Sequence, residues 1–550
     1  MNLSNARRGE RAILILGALV AAVCPVALYW PTYTSRFGWA LDDFSCMGMF
    51  GGLSFGEVLK SLLHTDHTHY YRPLHVVVTW ILTQTGGTSR LFQAGSLHAL
   101  HLVGVWLLYW ATARISHSRA IGALTAALWA VSSVHLPALL SPPALIPERL
   151  CALCLGAAMA LFLTRHWKWT PLPLVVALFS KEWGVMIAPI LTVLWALMLA
   201  EAWQSTGRLK GSEAFEKRRT LAVCWVAVAV YMFMQMSYGV LERSGPLTPG
   251  VFEGKAMFIA PVSVLWRVFT CDVEMNFYRT FEFLLWPVLP GQSHNSVMPR
   301  TPDPSQPASL VLILLAIVFA FDVVSLVRSR KTAILAPRTY FGVIWFLLAT
   351  MPVSLQVVRR DDIAYLPILP AMAASWLLAA ALRRLQKAAV PDCGVAFVAV
   401  VLGSYCISLG FWYPHGIQAS HWARARLATA GRLDSIAGDI GPMPRRGPVP
   451  AIVFLGMDPN GPDQLATSAY WGGAGLTAYY RRPITCRTAE KRADLWVTSD
   501  RRLAIRGRTD TLPLSNVRIL EKQGSHYVDI TAVIVKRADA PASQSIRSGP

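Results

Sequence analysis

The sequence predicts an all-α polytopic membrane protein with a small α/β domain at its C-terminal end. Three observations lead there. Of the 550 residues, 54% are hydrophobic and 15% charged, too little polarity for a soluble chain of this length; the mean hydropathy is +0.41. Several segments run for about 20 apolar residues, enough for a helix to cross a hydrocarbon core of about 30 Å. Beyond Trp412 the apolar runs give way to mixed sequence with short strand-like stretches.

The balance of 51 Lys+Arg against 31 Asp+Glu, a formal charge of +20, suits cytoplasmic loops and contact with anionic lipid head groups. No nucleic-acid recognition motif is legible, so nucleic acid is excluded as a partner. The nine cysteines lie mostly in apolar runs and form no disulfide framework. Cys151-Ala152-Leu153-Cys154 has redox spacing, yet it falls inside an expected membrane helix and reads as small buried residues.

Taken in order, Arg7, Arg8 and Arg11 precede an apolar run over 13–30. Bulky Leu28-Tyr29-Trp30 stands where a signal peptide needs small residues, so an uncleaved first helix with its basic end inside is expected. Charge then threads the chain. Segments 91–113, 150–164, 310–327 and 364–382 return to basic cytoplasmic ends, and 120–140, 221–238, 340–351 and 395–412 lead out again. The stretch 171–200 is apolar except for Ser180-Lys181-Glu182 and has basic flanks on both sides. About 30 residues at about 1.5 Å each cannot cross twice, so a helical hairpin with a short first arm is expected. Its charged tip is tolerated only inside protein or along a wet cavity. The total is about 11 transmembrane helices in a domain spanning 1–412.

Two outer loops interrupt that domain, 31–90 and 239–309; the charges in the second suggest helices lying in the interface. Residues 413–537 read as a soluble α/β domain, with a helix over 422–436 and strands over 451–455, 495–498 and 530–535. The Ala/Ser/Pro-rich end, 538–550, reads as disordered.

Charges in such a chain are informative because they are costly, about 2.5–3.5 kcal/mol each at a membrane helix centre. Asp42-Asp43 stand just past the first helix. One carboxylate suits deprotonation of an acceptor hydroxyl while the other orients it or tunes its pKa; a helix cap or topology determinant is the plainer alternative. Arg72, between Tyr71 and Pro73, carries a guanidinium fork that fits phosphate, or snorkels to head groups. Glu148-Arg149, read at the outer start of the fourth helix, and Arg359-Arg360-Asp361-Asp362 present the same choice. His98 and His101 share one helix and read as hydrogen-bonded structural histidines. In the run 64–69, Asp66, His67 and His69 offer donors for a divalent metal, in a spacing that matches no tight structural site.

In chain order, Leu41-Asp42-Asp43, Tyr71-Arg72-Pro73-Leu74, His101, Glu148-Arg149, Ser180-Lys181-Glu182 and Tyr365-Leu366-Pro367 together resemble the GT-C superfamily of polytopic glycosyltransferases. The nearest branches are the protein O-mannosyltransferases and the bacterial lipid-linked sugar transferases. The chain departs from the family's His-Pro and further Glu near the third helix, with Ser132-Ser133, His135 and Pro137 there instead. The resemblance implies a GT-C-like fold and a polyprenyl-phosphate sugar donor entering from the bilayer. It implies transfer to a hydroxyl of a glycan, lipid or protein, on the outer face of a bacterial inner membrane, with the C-terminal domain periplasmic. It assigns the base to Asp42 or Asp43, and donor phosphate and sugar to Tyr71, Arg72, Arg149, Lys181, Glu182, Arg359 and Arg360. His69, His101, Glu148 and Tyr365 would support them, and a divalent metal is the one cofactor left open. Direct attack would invert the anomeric centre. The alternative is a transporter or flippase, which predicts inverted repeats with broken helices in matching halves; one interrupted hairpin is legible and no counterpart.

Overall fold

The computed structural model describes residues 3–34, 46–62, 71–135, 142–206, 213–237, 341–349, 368–388, 395–403, 421–443, 450–458, 463, 474–480 and 484–539, apart from single or paired positions inside these ranges. Helix α1 (Leu3–Thr34) carries the basic N-terminal turns and the first apolar run. Two helices follow inside the expected first outer loop. The first, α2 (Phe55–Ser61), opens on a capping box between Ser54 and Glu57. The second, α3 (Pro73–Gly86), starts with proline at its first position, where the missing N–H costs nothing.

Helices α4 (Arg90–Ile115) and α5 (Arg119–Ala130) form a tight pair, each capped by a serine hydroxyl, Ser89 and Ser118. Between them His117 adopts a φ of 49°, in the left-handed region. Small residues let the backbones approach. A Cβ on Gly122 would lie 2.8 Å from the Tyr109 carbonyl oxygen, and one on Gly17 would lie 2.9 Å from the Ala123 backbone. Buried along nearly its whole length, α5 is a core helix rather than an amphipathic one.

The run over 120–140 was expected to continue as one span, and this is corrected: α5 stops at Ala130, about 18 Å long and too short to cross. Val131 leaves the helical region at φ −102°, ψ 15°. The carbonyls of Trp129 and Ala130 are then bonded by the rings of His135 and His101, and Trp129 also accepts from the Ser132 N–H at 3.2 Å. A second correction concerns the next helix, expected over 150–164. Helix α6 runs Pro142–Phe162 with Pro147 inside it, because its first prolines favour helix initiation. Glu148 and Arg149 therefore sit within the helix and not at its start.

The stretch 171–200 has the expected short first arm. Helix α7 (Pro171–Ser180) is ten residues long and breaks at Lys181, which is extended at φ −155°, ψ 141°. A 3-10 turn over Glu182–Met186 leads into α8 (Ile187–Thr206). That turn folds onto α7, since a Cβ on Gly184 would lie 2.6 Å from the Ala177 carbonyl carbon. Helix α9 (Arg218–Ser237) and α10 (Ile368–Ala388) also belong to the apolar unit; Arg383 of α10 meets Glu10 of α1 at 3.5 Å. Among the described residues, Gly9–Ala27, Leu91–Ile115 and Glu182–Trp203 are long and apolar enough to cross a membrane. These are what the described residues delineate of the expected 11 or so. The segments 239–309 and 310–327 lie outside the described residues, and 340–351 and 395–412 lie only partly within them.

The C-terminal unit begins with α11 (His421–Ile440). Then come β1 (Ala451–Leu455), α12 (Ala474–Tyr480), β2 (Thr485–Ala489), β3 (Leu495–Val497), β4 (Arg502–Ile505), β5 (Thr511–Pro513), β6 (Val517–Gln523), β7 (His526–Asp529) and α13 (Thr531–Asp539). One sheet has the order β2-β1-β6-β7 and the other β3-β4-β5. Strand β1 pairs in parallel with β2 and β6; β7 turns back antiparallel to β6. All five side chains of β1 are buried, as a central strand covered on both faces requires. Ile452 and Phe454 face the α11 side with Leu433 and Ile436, whereas Val453 and Leu455 face Leu503, Ile505 and Ile534.

The strand expected over 530–535 is corrected to the helix α13. Asp529 accepts from both the N–H and the hydroxyl of Thr531, an N-terminal cap. Ile530 and Ile534 are then buried four apart while Val533 is exposed, a helical period that overrides β-branched propensity. Of the end read as disordered, 538–539 belong to α13 and 540–550 lie outside the described residues.

Candidate functional site

Arg72 is the cap residue of α3, and its backbone is fixed from three directions. The neighbouring Tyr71, 2% exposed, donates its hydroxyl to the Leu62 carbonyl at 2.7 Å. Its ring meets Phe179 of α7 edge-on at 5.9 Å. Gln235 of α9 donates to the Tyr71 carbonyl at 3.1 Å and also to the Tyr231 hydroxyl. The Arg72 guanidinium is thereby aimed at the break between α7 and α8. There its Nε and Nη2 donate to Oε2 and Oε1 of Glu182 at 2.9 and 2.7 Å.

The break itself carries the second cation. Lys181 keeps its backbone bond to Ala177 but leaves the helix. Its Nζ lies 2.7 Å from Glu148 Oε1, 4.0 Å from Glu182 Oε1 and 4.8 Å from the centre of the Trp183 ring. Side-chain exposure is 15% for Arg72, 12% for Lys181 and 27% for Glu182, against 5% for Glu148. Two cations thus face two carboxylates at the surface of an apolar bundle. At such contact distances the raw attraction is about 6 kcal/mol for an effective dielectric of about 20. Desolvation takes back several kcal/mol per ion. The net is small, so the cluster places charge rather than holding the fold.

Next to Glu148 on α6, the Arg149 side chain diverges into a separate, closed setting and is 2% exposed. Its Nη1 lies 3.0 Å from His101 Nδ1 and also bonds His135 Nδ1, while Nη2 donates to the His135 carbonyl at 3.1 Å. The other nitrogen of each ring bonds a carbonyl at the end of α5, His101 with Ala130 and His135 with Trp129. A carbonyl only accepts, which assigns the hydrogen to Nε2 in both rings and leaves Nδ1 to accept from arginine. The two histidines therefore add hydrogen bonds to C-terminal carbonyls of α5, and the cation sits near the negative end of that helix.

The structure therefore brings Tyr71, Arg72, Glu148, Lys181 and Glu182 together, and sets Arg149 and His101 beside them in the interior. Asp42, Asp43, Asp66, His67, His69, Arg359, Arg360 and Tyr365 lie outside the described residues. Phe50, Gly51 and Leu53, beyond the acid pair, are tied to α3. Trp80 and Gln84 donate to the carbonyls of Leu53 and Gly51 at 2.9 and 2.6 Å, and Phe50 packs on His75 at 5.2 Å. Met47, fully buried, packs into the C-terminal unit with Ile436, Phe454 and Tyr527.

Sequence reasoning missed Gln235 and Tyr231, and read His135 only as a departure from a family pattern. A lone amide within an apolar helix, as Gln235 is in α9, is the signal that marks such a residue. Chemically, the cluster offers a bidentate guanidinium and an ammonium close together, each balanced by a carboxylate. That set suits a phosphate.

No protein-family model and no curated protein matches the chain in sequence. By fold it is similar to the Archaeoglobus fulgidus oligosaccharyltransferase in its apo form, at 15% identity and a TM-score of 0.42, over 87% of this chain and 64% of that one. The oligosaccharyltransferase AglB of that organism, solved with an inhibitory peptide and a dolichol-phosphate, aligns at 13% identity and a TM-score of 0.39, over 88% and 65%. ArnT from Cupriavidus metallidurans bound to undecaprenyl phosphate aligns at 15% identity and a TM-score of 0.45, over 85% of each chain. The chain thus spans somewhat less than two thirds of the length of the archaeal oligosaccharyltransferases. All three TM-scores lie below 0.5, and the likeness assigns neither a superfamily nor any residue role to this chain.

Proposed function

We propose that the protein transfers a sugar from a polyprenyl-phosphate donor to a hydroxyl acceptor, a glycan, lipid or protein, on the outer face of a bacterial inner membrane. The observation that supports this reading is the outer cluster. Arg72 and Lys181, held by Glu182 and Glu148 at the break of an apolar helix, offer two neighbouring cations suited to a phosphate.

In the proposed reaction Asp42 or Asp43 takes the proton of the acceptor hydroxyl. The acceptor oxygen bonds to the anomeric carbon as the bond from that carbon to the phosphate oxygen breaks, and the polyprenyl phosphate leaves. One displacement inverts the anomeric centre. The negative charge that grows on the leaving phosphate is met by Arg72 and Lys181, interactions stronger in the transition state than in the ground state. Arg149 positions rather than touches, by fixing the turn of α6 that carries Glu148. Arg359 and Arg360 are proposed as further phosphate ligands, His69 and Tyr365 as their neighbours, and the soluble unit as periplasmic.

The test is genetic and chemical. Deleting the gene in its host should remove a sugar from an envelope glycan or lipid-linked sugar read by mass spectrometry. Wild type should restore it, and Arg72→Ala or Lys181→Ala should restore it poorly, with transfer down about 10²–10³-fold. Full restoration by both variants, present in the membrane at wild-type level, would take the cluster out of the reaction.

A further inference from the structure

The edge of the Arg72 guanidinium that fits a phosphate is already occupied. Nε and Nη2 form a fork that accepts two oxygens of a phosphate or of a carboxylate equally well. Glu182 fills it with both of its oxygens, at 2.9 and 2.7 Å. A phosphate arriving at Arg72 therefore meets a group of the same geometry and the same sign.

We propose that Glu182 is an internal stand-in for the leaving polyprenyl phosphate and sets the specificity of the site. It holds the Arg72 fork while the site is empty, and moves to Lys181 when a phosphate of sufficient charge takes its place. This inference rests on the phosphate reading given above.

Three features of the cluster carry it. Lys181 Nζ is already 4.0 Å from Glu182 Oε1, so the carboxylate has a second cation within a short side-chain movement. Glu182 is the more exposed of the two carboxylates, at 27% against 5% for Glu148, so it is the one with room to move. It also stands at the start of the 3-10 turn, where Lys181 has broken the regular helix. With two cations against two carboxylates, the empty cluster has no excess charge to offer. A phosphodiester head group of the bulk bilayer, with a single negative charge, gains little by displacing a carboxylate of equal charge. A phosphate monoester carries close to two charges and takes the fork. Glu182 thus screens the site against the phospholipid that surrounds it, and lets the charge that grows on a leaving polyprenyl phosphate claim Arg72.

The experiment uses full-length protein in phosphatidylcholine nanodiscs, with polyprenyl phosphate as probe and polyprenol as neutral control. Binding is followed by fluorescence near Trp183 and by the shift in thermal unfolding, and phosphatidylglycerol is added as competitor. Wild type should bind polyprenyl phosphate in preference to polyprenol and be little affected by phosphatidylglycerol. Glu182→Gln should lower the Kd for polyprenyl phosphate at least fivefold and make binding sensitive to phosphatidylglycerol. Glu182→Asp, which keeps the charge at shorter reach, should fall between the two, and it stands in should the glutamine variant fold poorly. Wild-type binding that is unchanged or weakened in Glu182→Gln, or a Glu182→Asp Kd no lower than wild type, overturns the stand-in. Failure of every form, wild type included, to prefer polyprenyl phosphate over polyprenol overturns the phosphate reading and this inference with it.

Discussion

Single charged residues placed most of this site. Arg72, Glu148, Lys181 and Glu182 are visible in the sequence because each is expensive in an apolar setting, and the structure joins them in one cluster. Residues whose partners are distant were not legible. Gln235 supports Tyr71 from 164 positions away, and no local pattern records that. Arg149 shows the opposite limit: its charge drew attention, but its burial between His101 and His135 points to a positioning role. Arg149→Met should leave both histidine Nδ1 atoms without their donor, at about 1–3 kcal/mol for each orphaned buried group. The predicted result is a lower thermal midpoint in detergent, with polyprenyl phosphate binding retained by the folded fraction. Loss of binding at an unchanged midpoint would instead make Arg149 a direct ligand.

At the scale of elements, hydropathy found the helices but not their ends. It ran 120–140 as one span, whereas two histidine rings close the end of α5 at Ala130. It made a strand of 530–535, where a cap at Asp529 and burial four residues apart make α13. The break at Lys181 was legible, because only there does charge interrupt the apolar run. In the C-terminal unit, Asp463 ties α11 to the β6–β7 hairpin. It is 2% exposed and accepts from Arg432, from Lys522 at 2.8 Å and from Tyr527 at 2.9 Å. Burial pushes its carboxyl up, but the hydrogen bonds from Arg432, Lys522 and Tyr527 outweigh this and bring it down to about 2 from an ordinary 3.8. A depressed carboxylate contributes stability above its unfolded pKa and loses it as pH falls towards the folded one. The C-terminal unit should therefore weaken between about pH 4 and pH 2, as read by circular dichroism of the full chain. Asp463→Asn should flatten that step; an identical acid profile in the variant would exclude the residue as its source.

Across the whole molecule, the division into an apolar unit and an α/β unit was legible from composition, because the two bury their cores by different periods. Their junction was not. Met47 sits in the hydrophobic core of the C-terminal unit, while Phe50, Gly51 and Leu53 are fastened to α3, the helix that Arg72 caps.

The most direct measurement is transfer of a sugar from a polyprenyl-phosphate donor to acceptor by the purified protein in proteoliposomes, with the product read by mass spectrometry. Wild type should form a glycosidic bond with inversion at the anomeric carbon, and the double variant Asp42→Asn/Asp43→Asn should lose about 10²–10⁴-fold in rate. Undiminished transfer by the double variant, or movement of solute across the vesicle with no bond formed, would contradict the account.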